Sequence, residues 1–212
     1  MSRITGTFAP VPTPLTAAGG IDEAALAAHL RWLEGRLDGA LILGTNGEFP
    51  SLTLPERRAV ARAAVAAETG LELLLNVGAC ALGEVEAMLE LAAEGGFAAV
   101  LCPPPFYFRT APVEGVAAFL ERVLDASALP VLLYHIPQVT GVPVSDELLD
   151  AIGSHPRLAG VKDSTGREDE LDRLAARFAA GSYLVGNDRL VHRCRRAGGS
   201  GSISAVANVA PT

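Results

Sequence analysis

The sequence predicts an α/β fold, a (β/α)8 barrel in one domain over residues 1–212, and three observations lead there. Eight short apolar runs alternate with seven longer amphipathic stretches, the rhythm of a parallel sheet whose crossovers are helices. Most of the runs are hydrophobic throughout rather than at every second residue, as strands buried on both faces are. The first run leads into Pro12-Thr-Pro14, where an open doubly wound sheet would carry a glycine-rich phosphate loop.

In chain order the expected strands are 6–11, 40–43, 73–77, 98–102, 131–134, 158–162, 183–186 and 202–207. The expected helices between them are 23–37, 54–69, 83–94, 113–126, 146–152, 167–179 and 189–196. Asp22 can cap the first helix and Ser145 the fifth. Thr53-Leu-Pro-Glu56 is a capping box with proline in the first turn. The chain stops soon after the eighth run, whereas such barrels usually take about 250 residues. A barrel truncated after strand 8 is therefore expected, with no eighth helix or C-terminal helical extension and one flank of the sheet uncovered.

Composition narrows the function. With a net charge of -7 and no basic stripe, nucleic acid is not an expected partner. No apolar run approaches the ~20 residues that span a bilayer, and the first residues lack the apolar stretch of a signal peptide. A cytoplasmic protein is expected. Cys80, Cys102 and Cys194 are odd in number and lack CxxC spacing, so they read as reduced, buried thiols. His29, His135, His155 and His192 are scattered, without an H-x-H or H-x-x-x-H pair, and no metal site is expected.

The candidate chemistry lies where apolar runs end, at the face on which such barrels carry their sites. Lys162 ends the run from Leu158. An ammonium there is costly to bury, so its pKa should fall, and a neutral amine can attack a carbonyl to form a Schiff base. Gly160 shares its face by alternation and should leave room beside the amine. The plainer possibility is a lysine snorkelling into solvent. Tyr134 ends the preceding run, where its phenol could move a proton or be a core tyrosine satisfied by backbone. Gly44-Thr-Asn-Gly-Glu48 is a tight turn whose N–H groups, with Thr45 and Asn46, could hold a carboxylate. It could equally be an ordinary strand–helix turn. Gly186-Asn-Asp188 and Gly201-Ser-Ile-Ser204 complete the rim. Asp163, Glu48 and Asp188 read as turn or cap residues, and His135 as facing the helices.

Taken together, Gly44-Thr-Asn-Gly-Glu48, Tyr134-His-Ile-Pro-Gln-Val-Thr-Gly141, Gly160-Val-Lys-Asp-Ser164 and Gly201-Ser-Ile-Ser-Ala-Val-Ala-Asn208 resemble the dihydrodipicolinate synthase / N-acetylneuraminate lyase family. The resemblance runs from residue 4 to the end. It implies a class I aldolase that binds pyruvate or another 2-oxo acid as a lysine imine, with no cofactor, working as a homo-oligomer (a homotetramer). Lys162 falls on the Schiff-base lysine, Tyr134 on the catalytic tyrosine and Thr45 on the relay threonine. Pro104-Pro-Phe-Tyr107 is similar to the stretch that lends a second relay tyrosine, Tyr107, across a subunit interface. Asn46 falls on a carboxylate-binding position and Ile203 on one whose carbonyl faces pyruvate. Gly186 is counted with these as substrate-binding.

One departure bears on the substrate. Where synthases of this family carry an arginine for the carboxylate of aspartate semialdehyde, this chain has Val139, with Gln138 before it. Valine cannot bind a carboxylate by paired hydrogen bonds. Gly44-Thr-Asn-Gly-Glu-Phe-Pro50 resembles members of the family that split 4-hydroxy-2-oxoglutarate or 2-keto-3-deoxy sugar acids, and the resemblance implies a substrate of that type. Dihydrodipicolinate synthesis is the alternative, and a non-catalytic 2-oxo acid sensor is the alternative from another class.

Overall fold

The computed structural model describes residues 3–211. Eight parallel strands close into a barrel in sequence order, the last pairing back onto the first. They are β1 (Gly6–Pro10), β2 (Gly39–Ile42), β3 (Glu72–Asn76), β4 (Ala99–Cys102), β5 (Val131–His135), β6 (Leu158–Asp163), β7 (Ser182–Val185) and β8 (Gly201–Ile203). The helices are α1 (Glu23–Leu33), α2 (Leu54–Ala66), α3 (Leu82–Glu94), α4 (Val113–Ala126), α5 (Pro137–Thr140), α6 (Asp146–Ile152), α7 (Glu168–Arg177) and α8 (Val191–Arg196). Each expected run overlaps its strand and each amphipathic stretch its helix, with most ends displaced by one residue or more.

The starts of the helices follow local chemistry. Asp22 accepts the Ala25 N–H at 2.9 Å. The Thr53/Glu56 capping box forms, with Glu56 accepting the Thr53 N–H at 2.8 Å. Ser145 accepts the Leu148 N–H. Each such cap contributes about 1 kcal/mol.

Four expectations are corrected. The first helix stops at Leu33 because Arg36 and Leu37 both bond back to the Leu33 carbonyl around Gly35. The second stops at Ala66, with Glu68 in the left-handed region. The eighth run is a strand only to Ile203. The Ser204 N–H takes the Phe8 carbonyl, and the chain then turns through a 3-10 turn, Ala205–Asn208. The last correction is α5, a single turn not among the expected helices, opened by Pro137 and closed by Gly141 at φ 71°.

Two apolar layers result. Inside the barrel, Phe8, Leu41, Leu74, Leu101, Leu132, Leu184 and Ile203 pack together with Tyr134. Outside, the other face of each strand meets the helices. Truncating an interior leucine here costs about 2–5 kcal/mol. Gly160 lies in the inner layer, but not to leave space for the amine. A Cβ there would sit 2.0 Å from the Ser182 carbonyl oxygen, so the glycine is what lets β6 and β7 close. Among the described residues no helix follows β8, and Val206 and Val209 are exposed on that flank. No helix among them is long and apolar enough to cross a membrane.

Candidate active site

β5 and β6 pair so that Tyr134 stands directly beside Lys162. Both side chains are buried at the C-terminal mouth, and Nζ lies 4.3 Å from the centre of the phenol ring. Burial pushes the Lys162 ammonium down, and the nearby Tyr134 only partly opposes it. Burial alone would push the Tyr134 phenol up. Lys162 and the hydroxyls of Thr45 and Ser164 outweigh this, and its pKa falls below that of a free tyrosine. An amine lowered by burial and a phenol lowered by that amine are suited to exchanging a proton.

Thr45 reaches the pair from β2. Its hydroxyl is 3.0 Å from the Tyr134 hydroxyl. The turn that carries it is strained: Leu43 has φ 59° and Glu48 φ 54°, conformations costly for residues with a Cβ. Buried Asn76 at the end of β3 holds it, donating from Nδ2 to the Leu43 carbonyl at 2.8 Å. Sequence reasoning missed Asn76, although an amide inside the run 73–77 was the available signal. The N–H groups of Thr45 and Asn46 open a 3-10 turn and meet no acceptor among the described residues. They remain free for an anion.

The other expected residues fall unevenly. Ile203 is buried at the end of β8, on the inner face. The Gly186 N–H already donates to the Asp163 carbonyl at 2.6 Å, and a Cβ on Gly186 would meet Ser164 Oγ at 2.3 Å. It therefore makes room for Ser164, which the sequence reading had not assigned a role. Tyr107 lies on the β4–α4 loop, 75% exposed and packed edge-on against Phe108. Within one chain it makes no hydrogen bond to Tyr134 or Thr45. Cys102 and Cys194 are buried as expected, but Cys80 is exposed on the loop after β3.

Above Tyr134 and Thr45 opens a small cavity of about 50 Å³, lined by Phe49, Pro103, Phe106, Ile136 and Val139. No cation stands on this wall. Gln138 is turned aside, donating to the Ser164 carbonyl at 2.7 Å. Asp188 begins a 3-10 turn, but Asn187 makes its cap, and the Asp188 carboxylate instead takes the Ser204 hydroxyl after β8.

A lysine buried at the mouth of an eight-stranded barrel, with a phenol against it, is the equipment of lyases and aldolases acting on carbonyl compounds. Comparison with known proteins agrees. The model of the dihydrodipicolinate synthetase family matches residues 3–212, and the chain belongs to that family. It is an enzyme of the class I lyase and aldolase type that the family comprises. The whole chain is 34% identical to 73% of an uncharacterized DapA-like lyase of Chloroflexus aurantiacus. Over 99% of the chain it is 32% identical to 70% of a 4-hydroxy-tetrahydrodipicolinate synthase of Anaplasma marginale. The structure of YagE from E. coli K12, a prophage protein solved in complex with pyruvate, superposes with TM-score 0.93 at 29% identity. That match covers 98% of this chain and 72% of that one.

Proposed function

We propose that this enzyme cleaves a hydroxylated 2-oxo acid to pyruvate and an aldehyde through an imine on Lys162. The carrying observation is the buried amine set 4.3 Å from the Tyr134 ring with no carboxylate paired to it. The neutral amine adds to the C2 carbonyl, and loss of water gives the iminium. Tyr134, having given its own proton to the departing water, takes the proton of the C4 hydroxyl as the C3–C4 bond breaks and its electrons pass into the iminium, leaving an enamine and the aldehyde. Protonation at C3 and hydrolysis release pyruvate and the free amine. No cofactor is needed, because the iminium is the electron sink.

In this reading the free N–H groups of Thr45 and Asn46 hold the substrate carboxylate. Ile203 and Gly186 bound the pyruvate end. Thr45 links Tyr134 to a proton relay, and Tyr107, exposed on its own chain, completes that relay in a neighbouring chain of a homotetramer. Free cysteines suit a reducing compartment, so we assign the enzyme to the cytoplasm. The apolar wall at Val139 counts against aspartate semialdehyde, and the likeness of residues 44–50 to members that split 4-hydroxy-2-oxoglutarate or 2-keto-3-deoxy sugar acids makes a substrate of that type our first reading. The 32% identity to a synthase keeps condensation with aspartate semialdehyde as the second reading.

The test is a panel of 2-oxo acids with borohydride trapping, read by mass spectrometry. A reduced pyruvate adduct on Lys162 is expected, and turnover of panel members names the substrate. No adduct with any 2-oxo acid would overturn the proposal.

A further inference from the structure

Directly behind the reactive pair, on the helix-facing side of the same strands, a second pair stands in register. His135 follows Tyr134, Asp163 follows Lys162, and the two are strand partners. Asp163 is wholly buried. Its Oδ1 accepts the Thr165 N–H at 2.8 Å and the Thr165 hydroxyl at 2.7 Å. Its Oδ2 accepts the Tyr183 hydroxyl at 2.9 Å. Its backbone carbonyl accepts the Gly186 N–H. A buried carboxylate needs this degree of satisfaction. The Thr165 bonds are those of a turn residue; the phenol arriving from β7 is not. Tyr183 is itself fully buried and uses its one polar atom to hold the last residue of β6.

Lys162 has no comparable hold of its own. No carboxylate faces the amine, and its one titrating neighbour is Tyr134. The direction of the amine is therefore set by the backbone at the end of β6, where the chain is about to turn through Gly166 at φ 71°. The clamp on Asp163 acts on the adjoining peptide.

We infer that Asp163, gripped by Tyr183 and Thr165, is a positioning residue that aims Lys162 at the carbonyl it attacks. The inference rests on the imine chemistry proposed above. Asp163 touches no substrate and works through the torsion angles of β6. Near-attack geometry is sensitive enough for this, since a displacement of about 1 Å can cost about 100-fold in rate.

The experiment measures the rate of borohydride-trapped pyruvate adduct formation in wild type, Asp163→Ala, Asp163→Asn and Tyr183→Phe. Ser127→Ala, a buried serine capping the far end of α4, controls for lost stability. Melting temperatures are recorded, and rates are taken per folded molecule. Asparagine preserves the fork, with its oxygen accepting from Thr165 and its amide donating to the Tyr183 oxygen. Asp163→Ala and Tyr183→Phe should trap about 10- to 100-fold more slowly at little change in half-saturating pyruvate. Asp163→Asn should stay close to wild type, and Ser127→Ala should melt earlier yet trap normally. If Asp163→Ala fails to fold, Tyr183→Phe and Asp163→Asn decide. Wild-type trapping in Tyr183→Phe, or Asp163→Asn as slow as a lost fork, would overturn the inference. A wild type that forms no adduct would overturn the imine reading first, and this inference with it.

Discussion

The two faces of the β5–β6 ladder carry equally polar residues in opposite states. On the inner face, Lys162 leans on a phenol ring, and Tyr134 adds contacts to the hydroxyls of Thr45 and Ser164. One residue further along, on the outer face, every hydrogen-bonding position is used. His135 Nδ1 accepts the Val144 N–H at 3.0 Å, which makes Nε2 the protonated nitrogen, and it donates to Glu170 at 3.1 Å. Arg173 closes the ring by donating to Glu170 at 2.7 Å and to the Val144 carbonyl at 2.9 Å. The outer residues are tied into a network and hold; on the inner face Lys162 meets only the phenol and can react. A buried polar group is costly unless it is paired, and Lys162 carries part of that cost on the side facing the substrate, with no carboxylate set against it.

The largest expected effects lie on the inner face. Lys162→Ala should abolish both the trapped adduct and turnover. An adduct surviving in that variant would assign the chemistry to another residue. Tyr134→Phe should slow turnover by about 10²- to 10⁴-fold, the range for a lost acid–base group, while slow imine formation stays detectable. Full activity without the hydroxyl would remove Tyr134 from the mechanism. A middle-sized effect concerns the rim. Wild type should cleave a hydroxylated 2-oxo acid in preference to condensing aspartate semialdehyde. Val139→Arg should raise kcat/KM for the semialdehyde about tenfold, since a hydrogen bond to a charged group is worth about 1.5–3 kcal/mol. A steady-state comparison of both substrates decides it, and a wild-type preference for the semialdehyde would defeat the substrate reading.

Legibility follows the same division. Tyr134 and Lys162 could be read from the sequence because each ends an apolar run, where a polar residue is conspicuous. The capping box at Thr53 was visible because its chemistry is local. Tyr183 reads as one more large residue in a buried run, and its bond to Asp163 exists only once β6 and β7 are in register. Asn76 and Leu43 belong together for a reason equally non-local, a side chain on one strand restraining a strained turn on its neighbour. Gly160 was noticed and misread, because the sequence could not say that the Ser182 carbonyl passes over it. The α5 turn spans too few residues for any helical period to register.

The smallest expected effect probes the outer face through pH. Burial holds the His135 pKa below the ordinary 6.5; Asp163 and Glu170 oppose this, and Arg173 adds to it. The neutral ring is the one the structure uses, because Nδ1 must accept from Val144. Protonation there would set two donors against each other. The folded state therefore binds the proton less readily than the unfolded chain. This stability is fully present above pH 6.5 and is lost as pH falls from there toward the lower folded value. One such proton changes stability by at most about 1.4 kcal/mol per pH unit. Urea unfolding of wild type and His135→Asn between pH 7.5 and pH 5 tests this contribution, because groups remote from His135 contribute equally to both proteins. Wild type should be the more stable at pH 7.5, and its lead should shrink steadily as the pH is lowered. A constant difference across that range would mean that His135 is protonated, or unprotonated, alike in both states, and that the outer face is not organised around a neutral ring.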